Sequence, residues 1–149
     1  MKDVIISITG IQSSDETSAV GADTIELITG GEYSHGENET ILSYMESEMT
    51  GMEGTKTTIQ IRPDVVVLRR EGTTSSNMVF EEGKKHIFLY ETPYGAMSMG
   101  VDTHRIHTGI SEAGGDVEID YTLDMDNRTV SKNTFKINVR SNTPGMLPQ

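Results

Sequence analysis

Apolar and polar residues alternate along most of the chain, and almost no stretch repeats at the roughly 3.6-residue spacing of a helix. Period 2 is the mark of a strand with one buried and one wetted face, so the alternation confines the chain to β architectures. Strands are expected over 2–12, 24–33, 39–47, 55–62, 64–70, 77–81, 84–92, 95–101, 103–110, 116–125 and 132–140. The connections are tight: "HGEN" (35–38), "RPD" (62–64), "EGTTSS" (71–76), "EEGK" (81–84), "TPYG" (92–95), "EAGG" (112–115) and "DMDNRTVSK" (124–132). Each supplies Gly, Pro, Asn or Asp where the backbone must reverse. Turns this short join sequential antiparallel neighbours, and a meander of that many strands curls until it closes, because closure removes both sheet edges. The expectation is an all-β, antiparallel up-and-down barrel of about eight to ten strands.

The 149 residues suit one domain, 1–149, large enough to bury a core without staples. The segment 13–23 fits neither period and reads as a flexible loop, and 141–149 reads as a tail. Gly100 and Gly109 fall inside strand patterns and are expected bend or bulge points. "VVVL" (65–68) and "HIFLY" (86–90) are apolar on both faces, so their outer side needs a cover. Either a second copy in a homodimer or the 13–23 loop or tail would supply it.

Twelve basic residues against 23 acidic ones leave a net charge of −11, a field that repels phosphate backbones and anionic membrane surfaces. Nucleic acid and membrane are therefore not expected partners. With no Trp, three Phe and five Tyr, there is little material for base stacking. No segment offers the roughly 20 consecutive apolar residues of a membrane helix, and the opening "MKDVIISITGIQ" is too short and polar for a signal core. Cysteine is absent, which removes disulfides, thiolate metal sites and thiol nucleophiles. The expected location is the cytoplasm.

No catalytic motif, metal site or cofactor is implied. "DMDNRT" starts like a calcium loop but places Thr129 and Phe135 where Gly and Glu are required. Neither "GAMSMG" around Ser98 nor "GISEA" around Ser111 satisfies the nucleophile-elbow spacing. His104 and His107 are three apart and His35 lies in a turn, so no metal cluster assembles. What remains is the lumen, where a barrel of this size either packs solid or holds one small apolar or amphipathic ligand. Met78, Met97 and Met99, with Phe80, Phe88 and Tyr90, are the candidates to line it, and Arg69, His86, Glu91 and Tyr94 are the polar groups nearest its mouth. An enzymatic alternative gives acid/base roles at the mouth to Glu46 or Glu48, Arg69 and His86.

Three blocks, "ESEMTGMEGTKTTIQI" (46–61), "MVFEEGKKHIFLYETPYGAM" (78–97) and "GGDVEIDYTLDMDN" (114–127), resemble the YwiB-like family of uncharacterised Firmicutes proteins. The resemblance spans most of the chain, from Thr24 to Arg140, and implies a calycin-like (lipocalin-like) barrel. It carries over no catalytic or binding residues. The first block is then a strand, a glycine turn and a second strand, with Glu48 and Glu53 as a rim and Met49 and Met52 as a plug over the barrel mouth.

Overall fold

A computed structural model describes residues 2–13, 23–47, 52–126 and 128–141. Ten strands follow one another: β1 (Lys2–Ser13), β2 (Asp23–His35), β3 (Thr40–Met45), β4 (Lys56–Ile61), β5 (Val66–Glu71), β6 (Ser76–Phe80), β7 (Lys85–Thr92), β8 (Gly95–Ser111), β9 (Gly114–Met125) and β10 (Arg128–Ser141). They form one antiparallel sheet in the order β6-β5-β4-β3-β2-β1-β10-β9-β8-β7. Consecutive strands pair everywhere except between β6 and β7, and the first strand pairs with the last through ten residue pairs from Val4↔Ser141 to Ser13↔Lys132. β6 and β7 meet through a single bridge, where Ser75 N donates to Glu91 O at 2.9 Å and Glu91 N to Ser75 O at 2.8 Å. The sheet is thus a nearly closed up-and-down barrel, as the alternation predicts.

Two boundaries differ from the sequence expectation. The stretches 95–101 and 103–110 are one strand, β8, with a register shift between Thr103 and Arg105 at its partner β9. The extra residue is His104, so the strand bends there and not at Gly100 or Gly109, both of which stay in the ladder. The expected long turn "DMDNRTVSK" is a tight reversal, with Asp126 at φ 53 and pairing resumed at Arg128↔Met125. A second shift, between Thr129 and Ser131, takes up Val130. Polar composition marked this segment as a turn, but barrel closure extends the ladder through it. Segments 14–22 and 142–149, the bulk of the expected loop and tail, lie outside the described residues.

Inward-facing residues line up in rows across β3, β4, β5 and β6. One row is Thr40, Ile61, Val66 and Phe80, and the next is Leu42, Ile59, Leu68 and Met78, all buried. Across the barrel, Ile6, Ile8, Val117, Ile119, Ile137 and Val139 complete this apolar core, and Phe80 meets Tyr121 edge-on at a centroid distance of 4.9 Å. The third row, Tyr44, Thr57, Arg70 and Ser76, is polar. The barrel is therefore packed with hydrocarbon at one end and carries its polar interior at the other.

Gly31 on β2 belongs to the packed region. A Cβ there would sit 2.4 Å from both Ile6 Cδ1 and the Ser43 carbonyl oxygen, so only glycine lets β2 approach β3 this closely. Gly10 on β1 is the opposite case, with no atom within 4 Å of where its Cβ would be. Gly31→Ala is expected to lower stability by about 1–3 kcal/mol through overpacking, whereas Gly10→Ala should stay within about 1 kcal/mol of wild type. Urea midpoints at equal m-value decide it, and equal effects of the two substitutions would contradict this packing.

Candidate functional site

The polar row opens into a cavity of about 160 Å³ at one end of the lumen. Its apolar wall comes from Ile8, Ile11, Ile25, Leu27, Met52 and Phe135, and its polar wall from Tyr44, Glu46, Arg70, Tyr121, Gln12, Asn133 and Thr134, with Gly10 leaving the room. Strand parity explains the assembly. Leu42, Tyr44 and Glu46 share the inner face of β3 and its continuation, where Glu46 N donates to Thr55 O at 2.8 Å and carries the β3–β4 pairing one step past Met45. Val66, Leu68 and Arg70 share the inner face of β5, with Arg70 opposite Thr57 on one side and Ser76 on the other. The Met52–Thr55 turn, with Gly54 at φ 88, is docked onto the β5–β6 turn by Thr73 Oγ1 donating to Glu53 O at 2.7 Å and Thr74 N to Thr55 Oγ1 at 3.1 Å. That docking sets Met52 against the cavity.

Glu46 is the deepest charge, its side chain 1% exposed. Thr57 Oγ1 donates to its Oε2, and Arg70 Nε lies 3.7 Å from the same oxygen. At that separation the two form an ion pair without a hydrogen bond. Arg70 Nε is buried and has no hydrogen-bond acceptor among the described residues. Burial, followed by the neighbouring Glu46 carboxylate, pushes the Tyr44 phenol well above the ordinary tyrosine range, with Arg70 acting the other way. Burial raises Tyr121 too, against a smaller lowering by Arg70. Both phenols therefore stay protonated, as neutral hydrogen-bonding groups in the wall. Among the described residues no cluster of His, Cys, Asp and Glu could hold a metal ion, and no helix is long and apolar enough to cross a membrane.

The model of a domain of unknown function, DUF1934, matches residues 6–137. The chain belongs to the DUF1934 family. Among solved structures the DUF1934 chain is similar to the crystal structure of ywiB protein from Bacillus subtilis, at a TM-score of 0.82 and 21% identity, covering 95% of this chain and 93% of that one. At that identity the likeness shows the fold. No curated protein matches the chain.

In this DUF1934 barrel the residues expected from sequence fall apart spatially. Arg69 faces outward and is exposed, while its neighbour Arg70 faces the lumen. Met78 is buried in the packed core, and Met99 and Tyr90 pack against that core without lining the cavity. Met97 is largely exposed, Glu91 is exposed at the β6–β7 bridge, and Tyr94, at the β7–β8 turn, is 99% exposed. His86 lies at the other end of β7 from that bridge and pairs with Glu81 at 3.0 Å; this bond, then Lys84, holds the Glu81 carboxyl below the usual range. Glu48 and Met49 lie outside the described residues. The acid/base grouping of Glu46, Arg69 and His86 does not form one cleft, because Glu46 is inside the barrel and Arg69 outside. Of the block 46–61, Met52 meets the cavity, Glu46 is a buried wall residue and Glu53 is exposed.

Of the residues missed by sequence reasoning, Glu46 as a binding group, Arg70 and Tyr44 carried one usable signal, and Tyr121 on β9 carried none. In "LSYMES", "TKTTIQI", "VVVLRRE" and "SSNMVF" each alternating inner set ends in a polar residue, and antiparallel pairing brings those ends together.

The raised phenols of Tyr44 and Tyr121 have a pH consequence. The folded state disfavours their ionised form, so their folded values exceed the unfolded value of about 10. Stability from this source is complete below pH ~10 and declines as pH rises above it. Unfolding free energy measured between neutral pH and pH ~11 should fall, and the fall should be shallower in Tyr44→Phe. An identical slope in the variant would contradict the burial of Tyr44.

Proposed function

We propose that this DUF1934 protein is a binding barrel that takes one small amphipathic ligand into the cavity at the polar end of its lumen. The observation that carries the reading is a cavity of about 160 Å³ whose walls are aliphatic and aromatic on one side and hold a buried ion pair with two phenols on the other. A volume of this order accepts a molecule the size of benzene, since cavities near 150 Å³ do so in other proteins. Few convergent polar groups in a mainly apolar hollow is the usual composition of a ligand site. As part of the same proposal the protein acts in the cytoplasm; a chain without cysteine has no disulfide to form in an oxidising compartment.

Native mass spectrometry of freshly purified protein tests the reading. A bound mass on wild type that is absent from Gly10→Leu, where the added side chain fills the cavity, is the expected result. A bound mass retained equally by Gly10→Leu would place the ligand elsewhere and defeat the proposal.

A second reading, a homodimer, is supported by one surface. Ile87 and Leu89 on the outer face of β7 are 68% and 50% exposed, beside the thinly bridged β6 seam, with half-buried Val67 and Val79 facing out on β5 and β6. Phe88 faces inward and is buried. Such exposed apolar groups suit the centre of an interface with the acidic surface as its rim. Analytical ultracentrifugation should find a dimer that Ile87→Glu converts to monomer; a wild-type monomer at about 50 μM, where a dimer of low-micromolar Kd would be well populated, removes this reading.

A further inference from the structure

The lumen proposal leaves open what chemistry the ligand presents to the polar wall, and the charges in that wall narrow it. Glu46 and Arg70 are the charged residues that line the cavity, one of each sign, with Arg70 Nε 3.7 Å from Glu46 Oε2. Their charges balance. An anionic ligand drawn to Arg70 would face the Glu46 carboxylate, and a cationic ligand drawn to Glu46 would face the Arg70 guanidinium. Either would leave the cavity with a net buried charge, in a wall where burying an uncompensated ion is strongly unfavourable. A neutral ligand leaves the pair intact.

The balanced pair nevertheless has one unused bonding position. Arg70 Nε is buried and finds no acceptor among the described residues, although a buried guanidinium N–H ordinarily has one. Its carboxylate neighbour is engaged by Thr57 Oγ1 instead. Asn133 and Thr134 are also committed, Asn133 Nδ2 donating to Ser131 Oγ at 3.0 Å and Thr134 Oγ1 to Asp120 Oδ1 at 2.8 Å. Among the residues that line the cavity, Arg70 holds the buried polar atom without a partner and so asks for an acceptor, and the opposite wall of Ile8, Leu27 and Phe135 demands hydrocarbon.

Resting on the lumen proposal above, we infer that the ligand class is uncharged: a small alicyclic or aromatic molecule of roughly benzene size bearing one carbonyl or hydroxyl oxygen, which accepts from the Arg70 guanidinium while the ring packs on the aliphatic wall. The Glu46–Arg70 pair acts as the selector. It supplies a charge-assisted donor without the net positive charge that would recruit carboxylates and phosphates.

The test is a competition by isothermal titration calorimetry and protein-observed NMR with four probes of similar shape: cyclohexanone, benzene, benzoate and cyclohexylammonium. Cyclohexanone should bind wild type about ten- to a hundredfold more tightly than benzene, the factor expected for one hydrogen bond to a charged group, and both ions should bind more weakly than benzene. Arg70→Met alone strands the Glu46 carboxylate and threatens folding, so the informative variant is the charge-balanced pair Arg70→Met with Glu46→Gln. In it the preference for cyclohexanone over benzene should fall to about onefold, the value expected when no differential contact remains, with benzene binding retained. Equal affinity of cyclohexanone and benzene for wild type, or tighter binding of either ion, overturns the neutral-acceptor assignment while leaving lumen binding in place. Failure of all four probes overturns lumen binding for this class of ligand, and the assignment with it.

Discussion

The ladder between the first and last strands is the interaction on which the rest of the structure depends. β2 to β6 form one open meander and β7 to β10 another, and the connection between them, from β6 to β7, touches through a single bridge. What joins the two halves into one interior is β1, paired with β2 along eleven positions and with β10 along ten. Without those pairs each half would expose an apolar face too large for water. The ladder pairs residues from near the two ends of the chain, the contacts of greatest sequence separation in the fold and so the ones with the largest loop-closure cost.

Closure also dictates what the interior can hold. Two inward rows across β3 to β6 are filled, apart from Thr40, with Leu, Ile, Val, Met and Phe, and these meet Ile6, Ile8, Ile137 and Val139 from the opposite wall. The third row is Tyr44, Thr57, Arg70 and Ser76, facing Gly10 across the lumen. A buried ion pair is a poor source of stability, since well-packed hydrocarbon of equal volume serves as well or better. Glu46 and Arg70 sit there nonetheless, lining the same cavity as Gly10, whose missing side chain leaves the wall unfilled.

Much of the strand pattern was legible, but the faces were not. Arg69 and Arg70 are adjacent, and which of them enters the lumen turns on a shift of one residue, because parity reverses at every step along a strand. In "VVVL" and "HIFLY" both parities are apolar, so periodicity could not tell that Phe88 packs inward and Ile87 and Leu89 face out. The bulge at His104 resets the inward set of β8 from Val101 and Thr103 to Ile106, a change that no local composition announces. His86 and Glu91, read as neighbours at one mouth, sit toward opposite ends of β7, eight residues of extended chain that cross the barrel from end to end.

By itself the sequence determined an all-β chain of short antiparallel strands, joined by turns at Gly, Pro, Asn and Asp, and the kinship to a barrel family. Those properties are local: period 2 and turn chemistry are written within a few residues of where they act. Only the tertiary structure decided that the seam falls between β6 and β7, that the polar ends of four strands gather at one end, and that Glu46 meets Arg70 beside an unfilled glycine. These are long-range outcomes of ladder register, and register is settled when the sheet closes on itself and every inward side chain must share one interior.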